Sequence, residues 1–187
     1  MPSIDEAAKT WQMELAGRVG VAVQAARKAA GMTAVQLSQR TRDLGFPVSR
    51  AAISKIEANV RAGKLDVSEL LVLAAALDVP PLALLFPDLP AGRVEMLPDQ
   101  DVSSLEAFLW ASGLEVDKRQ TSGSRLVKAV MERRAALARF YVADSLISVG
   151  TDDATRIAAA TDERDIARAD VDRNEAIIRD CGGVLDA

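Results

Sequence analysis

An all-α protein is the expectation for this 187-residue chain. Three observations carry it. Alanine is abundant, while glycine (11) and proline (7) are few and β-branched runs are short, a composition that favours helix. Apolar residues recur at the 3.6-residue helical period through several stretches. Ser, Thr or Asp stands three residues before Glu or Gln at the start of several of them, the pattern of a capping box.

Each element can be justified in order. Trp11 to Ala30 reads as one helix, with Leu15, Val19, Ala22, Val23 and Ala26 on a common face and Gly31 as its stop. Thr33, with Gln36 three residues on, opens a second helix to about Asp43, expected to bury Val35 and Leu37. Leu44-Gly45-Phe46-Pro47-Val48 is a turn, since Gly permits positive φ and Pro blocks continuation. Ser49 caps a third helix from Arg50 to about Asn59. A basic loop, residues 60–65, leads to the Asp66/Glu69 cap of a fourth helix, Val67 to Leu77. Pro80-Pro81 then starts a short fifth helix that Pro87 ends.

Residues 88 to 101 carry Pro90 and Pro98 and read as a linker with little core, Val94 to Leu97 being a short extended strand. Ser103 and Glu106 open a helix through Trp110, closed by Gly113. The apolar Phe108, Leu109 and Trp110 require that this helix dock on something. After a polar break at residues 118–124 comes a long helix, Arg125 to Ser148, apolar on more than one side. Asp152 or Asp153 caps a last helix to about Asp180, with a thin stripe of Ile157, Ile166, Ile177 and Ile178. These two helices make an antiparallel hairpin. The expected layout is an N-terminal tail (1–10), a five-helix domain (11–87), a linker (88–122) and a helical hairpin (123–187).

Composition excludes much chemistry. There is no histidine, so no His-based triad or His metal site, and Cys181 is the lone cysteine. No nucleophile–base pair, glycine-rich phosphate loop or metal cluster stands out, so no enzyme, cofactor or metal is expected; Asp152-Asp153 reads as a helix start. A single thiol fits a reduced cytoplasmic setting, and no apolar run or signal-like N-terminus points to a membrane. The net charge of −4 conceals a split: residues 11–64 hold nine basic and three acidic side chains, and residues 65–122 hold three basic and ten acidic. A basic block of net +6 suggests a face for a polyanion.

On the third helix Ile53 and Ile56 fall on one face, and Arg50, Ala51, Ser54, Lys55 and Ala58 on the other. The order of a Thr33 cap, Leu37, then Val48-Ser49-Arg50-Ala51-Ala52-Ile53-Ser54-Lys55-Ile56-Glu57, a basic loop, and the leucine-rich stretch from Val67 to Leu85 resembles the lambda/434 repressor–Cro type of helix-turn-helix, the XRE family. The likeness covers roughly Val19 to Phe86. It implies a five-helix repressor-type fold and a transcriptional regulator, a repressor, that binds double-stranded DNA as a homodimer on a palindromic site, with the helix 49–59 in the major groove. Arg50, Ala51, Ser54 and Lys55 would read bases, Arg by forking to guanine and the alanine methyl by touching thymine. Thr33, Arg40, Arg42, Ser49, Arg61 and Lys64 would meet the phosphate backbone, and Arg27–Glu57 would be a structural pair.

Two departures stand out. Ala34 occupies a place where the family usually has Gln for a phosphate, leaving that contact to backbone N–H groups and Thr33 Oγ. The connection from Arg40 to Val48 is longer than in phage repressors, similar to actinobacterial regulators. The hairpin is expected to dimerise the protein. The alternative is an antitoxin or adaptor whose C-terminal helices bind another protein.

Overall fold

A computed structural model describes residues 4–114, 121–150 and 153–185. Part of the expected polar break (118–120) and Asp152 lie outside them. The chain divides into two compact units, Met1–Ala111 and Ser112–Ala187. The all-α class read from the sequence is that of the structure, apart from one small strand pair.

The first unit contains α1 (Ile4–Ala29), α2 (Ala34–Asp43), α3 (Arg50–Glu57), α4 (Val67–Leu77) and α5 (Pro81–Leu85). The expected tail is helical from Ile4: Asp5 and Glu6 in the first turn complement the helix dipole, so propensity extends α1 where no apolar period exists. Val19 and Val23 of α1, Leu37 of α2, Ile53 and Ile56 of α3, and Leu73 of α4 form one core. Val35 departs from expectation and is exposed. It lies two residues before Leu37, on the far side of the same turn, so the two cannot share a buried face.

The α2–α3 connection is held by polar ties rather than apolar burial. Thr41 is fully buried: its Oγ1 donates to the Ser38 carbonyl at 2.8 Å and accepts from the Val48 N–H at 3.0 Å. Ser38 Oγ donates to the Val48 carbonyl at 2.7 Å. Gly45 at φ +86 reverses the chain between these anchors. Both backbone groups of Val48 are thereby satisfied before α3 begins, which fixes where that helix starts.

Residues 88–111 are not a coreless linker. β1 (Arg93–Leu97) pairs antiparallel with β2 (Gln100–Ser103), a strand the sequence reading did not anticipate. Asp99 takes φ +64 in the turn between them. Inward-facing Val94, Met96 and Val102 meet Phe86, Ala107 and Phe108, making a second small core. α6 (Ser104–Ser112) carries Ala107 and Phe108 into it, preceded by the Ser103–Glu106 capping box. Trp110, which the sequence expects to dock, stays 45% exposed. Arg18 of α1 ties the strand pair to the helices by donating to the carbonyls of Leu85 (2.9 Å) and Glu95 (3.3 Å).

The second unit is a helical hairpin of α7 (Ser122–Val149) and α8 (Ala154–Asp180), with Asp153 as the α8 cap. Ala129, Ala136 and Ala143 of α7 are buried against Ala160 and Ala167 of α8. Small residues every seven positions set a short interaxial distance. Arg133 to Glu175 (2.9 Å) and Arg139 to Asp170 (2.5 Å) flank the seam.

Thr41→Val keeps the volume but leaves the buried Val48 N–H without an acceptor. It is expected to cost about 1–3 kcal/mol, read as a lower denaturation midpoint of the full chain.

Candidate nucleic-acid interface

α3 is short, and its position is imposed from both ends. At its start Ser49 Oγ accepts from the Ala52 N–H at 3.1 Å, an N-cap that fixes the first turn. Ile53 and Ile56 are buried, so the helix cannot rotate without exposing them. Arg50, Ala51, Ser54 and Lys55 are consequently exposed together.

The end of α3 lies against the backbone of α1. A Cβ on Gly20 would sit 2.3 Å from the Ile56 carbonyl oxygen, and one on Gly17 would sit 2.9 Å from Asn59 Nδ2. Asn59, at φ +50, turns the chain and donates from Nδ2 to the Met13 carbonyl at 2.9 Å. Glycine inside a long helix costs roughly 1 kcal/mol relative to alanine; at position 20 the backbone of α3 requires it, and at position 17 it makes room for the Asn59 amide. The sequence held the signal, a Gly-x-x-Gly interrupting an amphipathic stretch, but not its partner.

Arg27 and Glu57 lock the same junction. Arg27 Nε donates to Glu57 Oε1 at 2.7 Å and Nη2 to Oε2 at 2.8 Å, a two-pronged pair. Arg27 Nη1 also donates to the Met32 carbonyl at 2.8 Å, joining the α1–α2 turn to α3. The two side chains keep only 13% and 8% of their surface exposed, so each needs the other. The guanidinium hydrogen bonds hold the Glu57 carboxyl below its ordinary range against the opposing effect of burial.

The six residues assigned to the phosphate backbone divide by geometry. Arg61 is held by Glu69 at 2.5 Å, and Arg40 donates to the Ala76 carbonyl at the end of α4 at 3.2 Å. Both are engaged within the chain. Arg42 and Lys64, like Arg50 and Lys55 of the base-facing set, form no ion pair among the described residues and are exposed. Ser49 is the α3 cap described above. Thr33 Oγ1 accepts from the Gln36 N–H at 3.2 Å while its own N–H donates to Gln36 Oε1 at 2.8 Å. That box leaves the Ala34 and Val35 N–H groups, the first of α2, pointing outward without intrahelical acceptors. Among the described residues no group of three or more acidic or Cys side chains could hold a metal ion, and no helix is long and apolar enough to cross a membrane.

An exposed face of Arg, Ser, Lys and small alanines, carried on a short helix pinned at both ends behind a preceding helix, defines a helix-turn-helix DNA-binding domain. Residues 23–84 match the family model HTH_3, described as helix-turn-helix. No curated protein and no solved structure gives a significant match to the chain.

Two outcomes are expected. Gly20→Ala, although it improves helix propensity in α1, displaces α3 and lowers DNA affinity at least tenfold in a mobility-shift titration. Because Glu57 titrates lower when folded than unfolded, the stability it contributes is full above its ordinary value of 4.5 and drains as pH falls through the lower folded value. Glu57→Gln is therefore less stable than wild type near neutrality. That gap narrows on acidification below about pH 4, measured by chemical denaturation across pH.

Proposed function

We propose that the chain is a sequence-specific transcriptional regulator, acting as a repressor, and that α3 reads DNA in the major groove. The observation that carries this reading is the pairing state of α3: one face is locked into the core, while Arg50, Ala51, Ser54 and Lys55 are exposed, the two cations without partners among the described residues. Arg50 is suited to a guanine edge and Ala51 to a thymine methyl, with Ser54 and Lys55 one turn further on. The free N–H groups at the start of α2, with Thr33, receive one phosphate. Ser49, Arg42 and Lys64 receive others, and Arg40 and Arg61 serve mainly as internal struts.

The hairpin dimerises the protein, so that two α3 helices meet successive major grooves about 34 Å apart on a palindromic site. The exposed apolar surface of α7 supports that reading, since a single hairpin leaves Val130, Met131 and Tyr141 in solvent. The protein works in the cytoplasm, on the nucleoid.

In vitro selection from a random DNA pool tests the whole: a recovered palindrome supports it, and enrichment of no sequence overturns it. On the recovered site Arg50→Ala is expected to cost about 1–3 kcal/mol and to relax preference at one base position. Lys64→Ala weakens specific and random DNA alike and reduces the salt slope by about one. Equal losses on both DNAs for Arg50→Ala would remove it from the base-reading set.

A further inference from the structure

Resting on the dimer reading above, we infer that two copies of the chain join through an antiparallel contact between their α7 helices, with Arg134 of each copy facing Asp144 of the other. α7 spends one side on α8 through the alanine ladder. A second stripe, Val127, Val130, Arg134, Leu137, Tyr141 and Asp144, repeats at alternating steps of three and four residues. It lies rather more than a third of a turn round the helix from the ladder, on a face separate from the alanine seam. Val130 is 46% exposed and Tyr141 65%, while Leu137 between them is half-buried, with Ile178 and Leu185 lining the same cavity as Val130 and Leu137.

The outer face of α8 needs no such partner. Its charges are matched along the helix, Arg168 to Asp172, Arg173 to Asp170 and Arg179 to Glu175. Among the described residues α8 exposes one large apolar side chain, Ile166, whereas most of the uncovered apolar surface of the hairpin is on α7, and a copy of α7 offers surface of the same kind.

Charge selects the occupant and the register. Arg134 and Asp144 are the only charged residues of the stripe, and they are opposite in sign. They lie symmetrically about residue 139, as do Leu137 and Tyr141. A two-fold axis through that point sets Arg134 against the partner's Asp144 at both ends and Leu137 against the partner's Tyr141 in the middle. Antiparallel heptad packing pairs positions in this alternating way. An isologous contact requires such self-complementarity. Among the described residues Arg134 has no ion pair, and Asp144 has only a 3.9 Å approach from Arg164, which also pairs with Asp165 at 3.2 Å. Both are available to a second copy.

The test is light scattering of the full chain across a dilution series, for wild type, Arg134→Asp, Asp144→Arg and the double variant. Wild type is expected at twice the chain mass of 19.9 kDa at micromolar concentration. Each single reversal places like charges together and raises the dimer dissociation constant at least tenfold. The double reversal restores it to within about threefold, with helical content by circular dichroism unchanged throughout. A single-chain mass for wild type overturns both this contact and the dimer reading. A wild-type dimer that ignores the single reversals, or that the double reversal does not rescue, overturns this register and leaves dimerisation standing.

Discussion

The carbonyl oxygen of Ile56 lies where a side chain at position 20 would otherwise be, and the DNA-facing surface is built outward from that contact. α3 is eight residues long, too short to be stable by itself. Its placement comes from neighbours: the backbone of α1 pressed against its final turn, Arg27 forked onto Glu57, and Asn59 tied to the Met13 carbonyl. All three act at the C-terminal end. The exposed side chains Arg50 and Ala51 stand at the other end, so a small tilt at the α1 contact becomes a larger displacement where bases are read.

The opposite end of α3 is set by different chemistry. The long connection from α2 has little apolar content to bury, and Leu44 and Phe46 are exposed. Order there depends on two hydrogen bonds of Val48, its N–H donating to the Thr41 hydroxyl and its carbonyl accepting from the Ser38 hydroxyl. A buried hydroxyl in a low-dielectric site is directional where a methyl is not, so it specifies one path for a chain that hydrophobic contacts leave undefined. The extended connection can therefore be as determinate as a shorter turn, provided residue 41 keeps a hydroxyl.

The parts of this architecture that depend on local pattern were legible in the sequence: helix order, the caps at Thr33, Ser49, Asp66 and Ser103, and the two faces of α3. What escaped was whatever required a partner distant in sequence. Gly20 carries no visible role in the sequence, because the Ile56 carbonyl that explains it lies 36 positions on. Arg61 and Arg40 read as free cations because nothing local foretells Glu69 or the Ala76 carbonyl. The segment after Pro87 read as a linker because its own strand residues, Val94, Met96 and Val102, are too few to make a core until Phe86 and Ala107, on either side of the strand pair, close over them. The Arg27–Glu57 pair was an exception, and it came from family resemblance rather than from spacing.

Partner assignment also changes what the basic block can do. Of the nine basic residues between 11 and 64, Arg18, Arg27, Arg40 and Arg61 are committed to carbonyls or carboxylates within the domain, and Lys28 donates to Gln24. Arg42, Arg50, Lys55 and Lys64 remain. Each phosphate neutralised contributes a slope of about 0.9 to the salt dependence of binding. With Arg42, Arg50, Lys55 and Lys64 the cations left without a partner among the described residues, the domain has few side chains free to reach phosphate, and its gain from nonspecific electrostatics is limited. The acidic stretch that follows reduces that gain further. A single copy is then expected to hold DNA weakly at any sequence, and the proposed dimer would gain its affinity by joining two such domains on one site. The stripe on α7 is the surface proposed to make that join: where hydrogen bonds within the domain hold basic side chains away from phosphate, recognition by a dimer would rest on the spacing of two domains rather than on the strength of one.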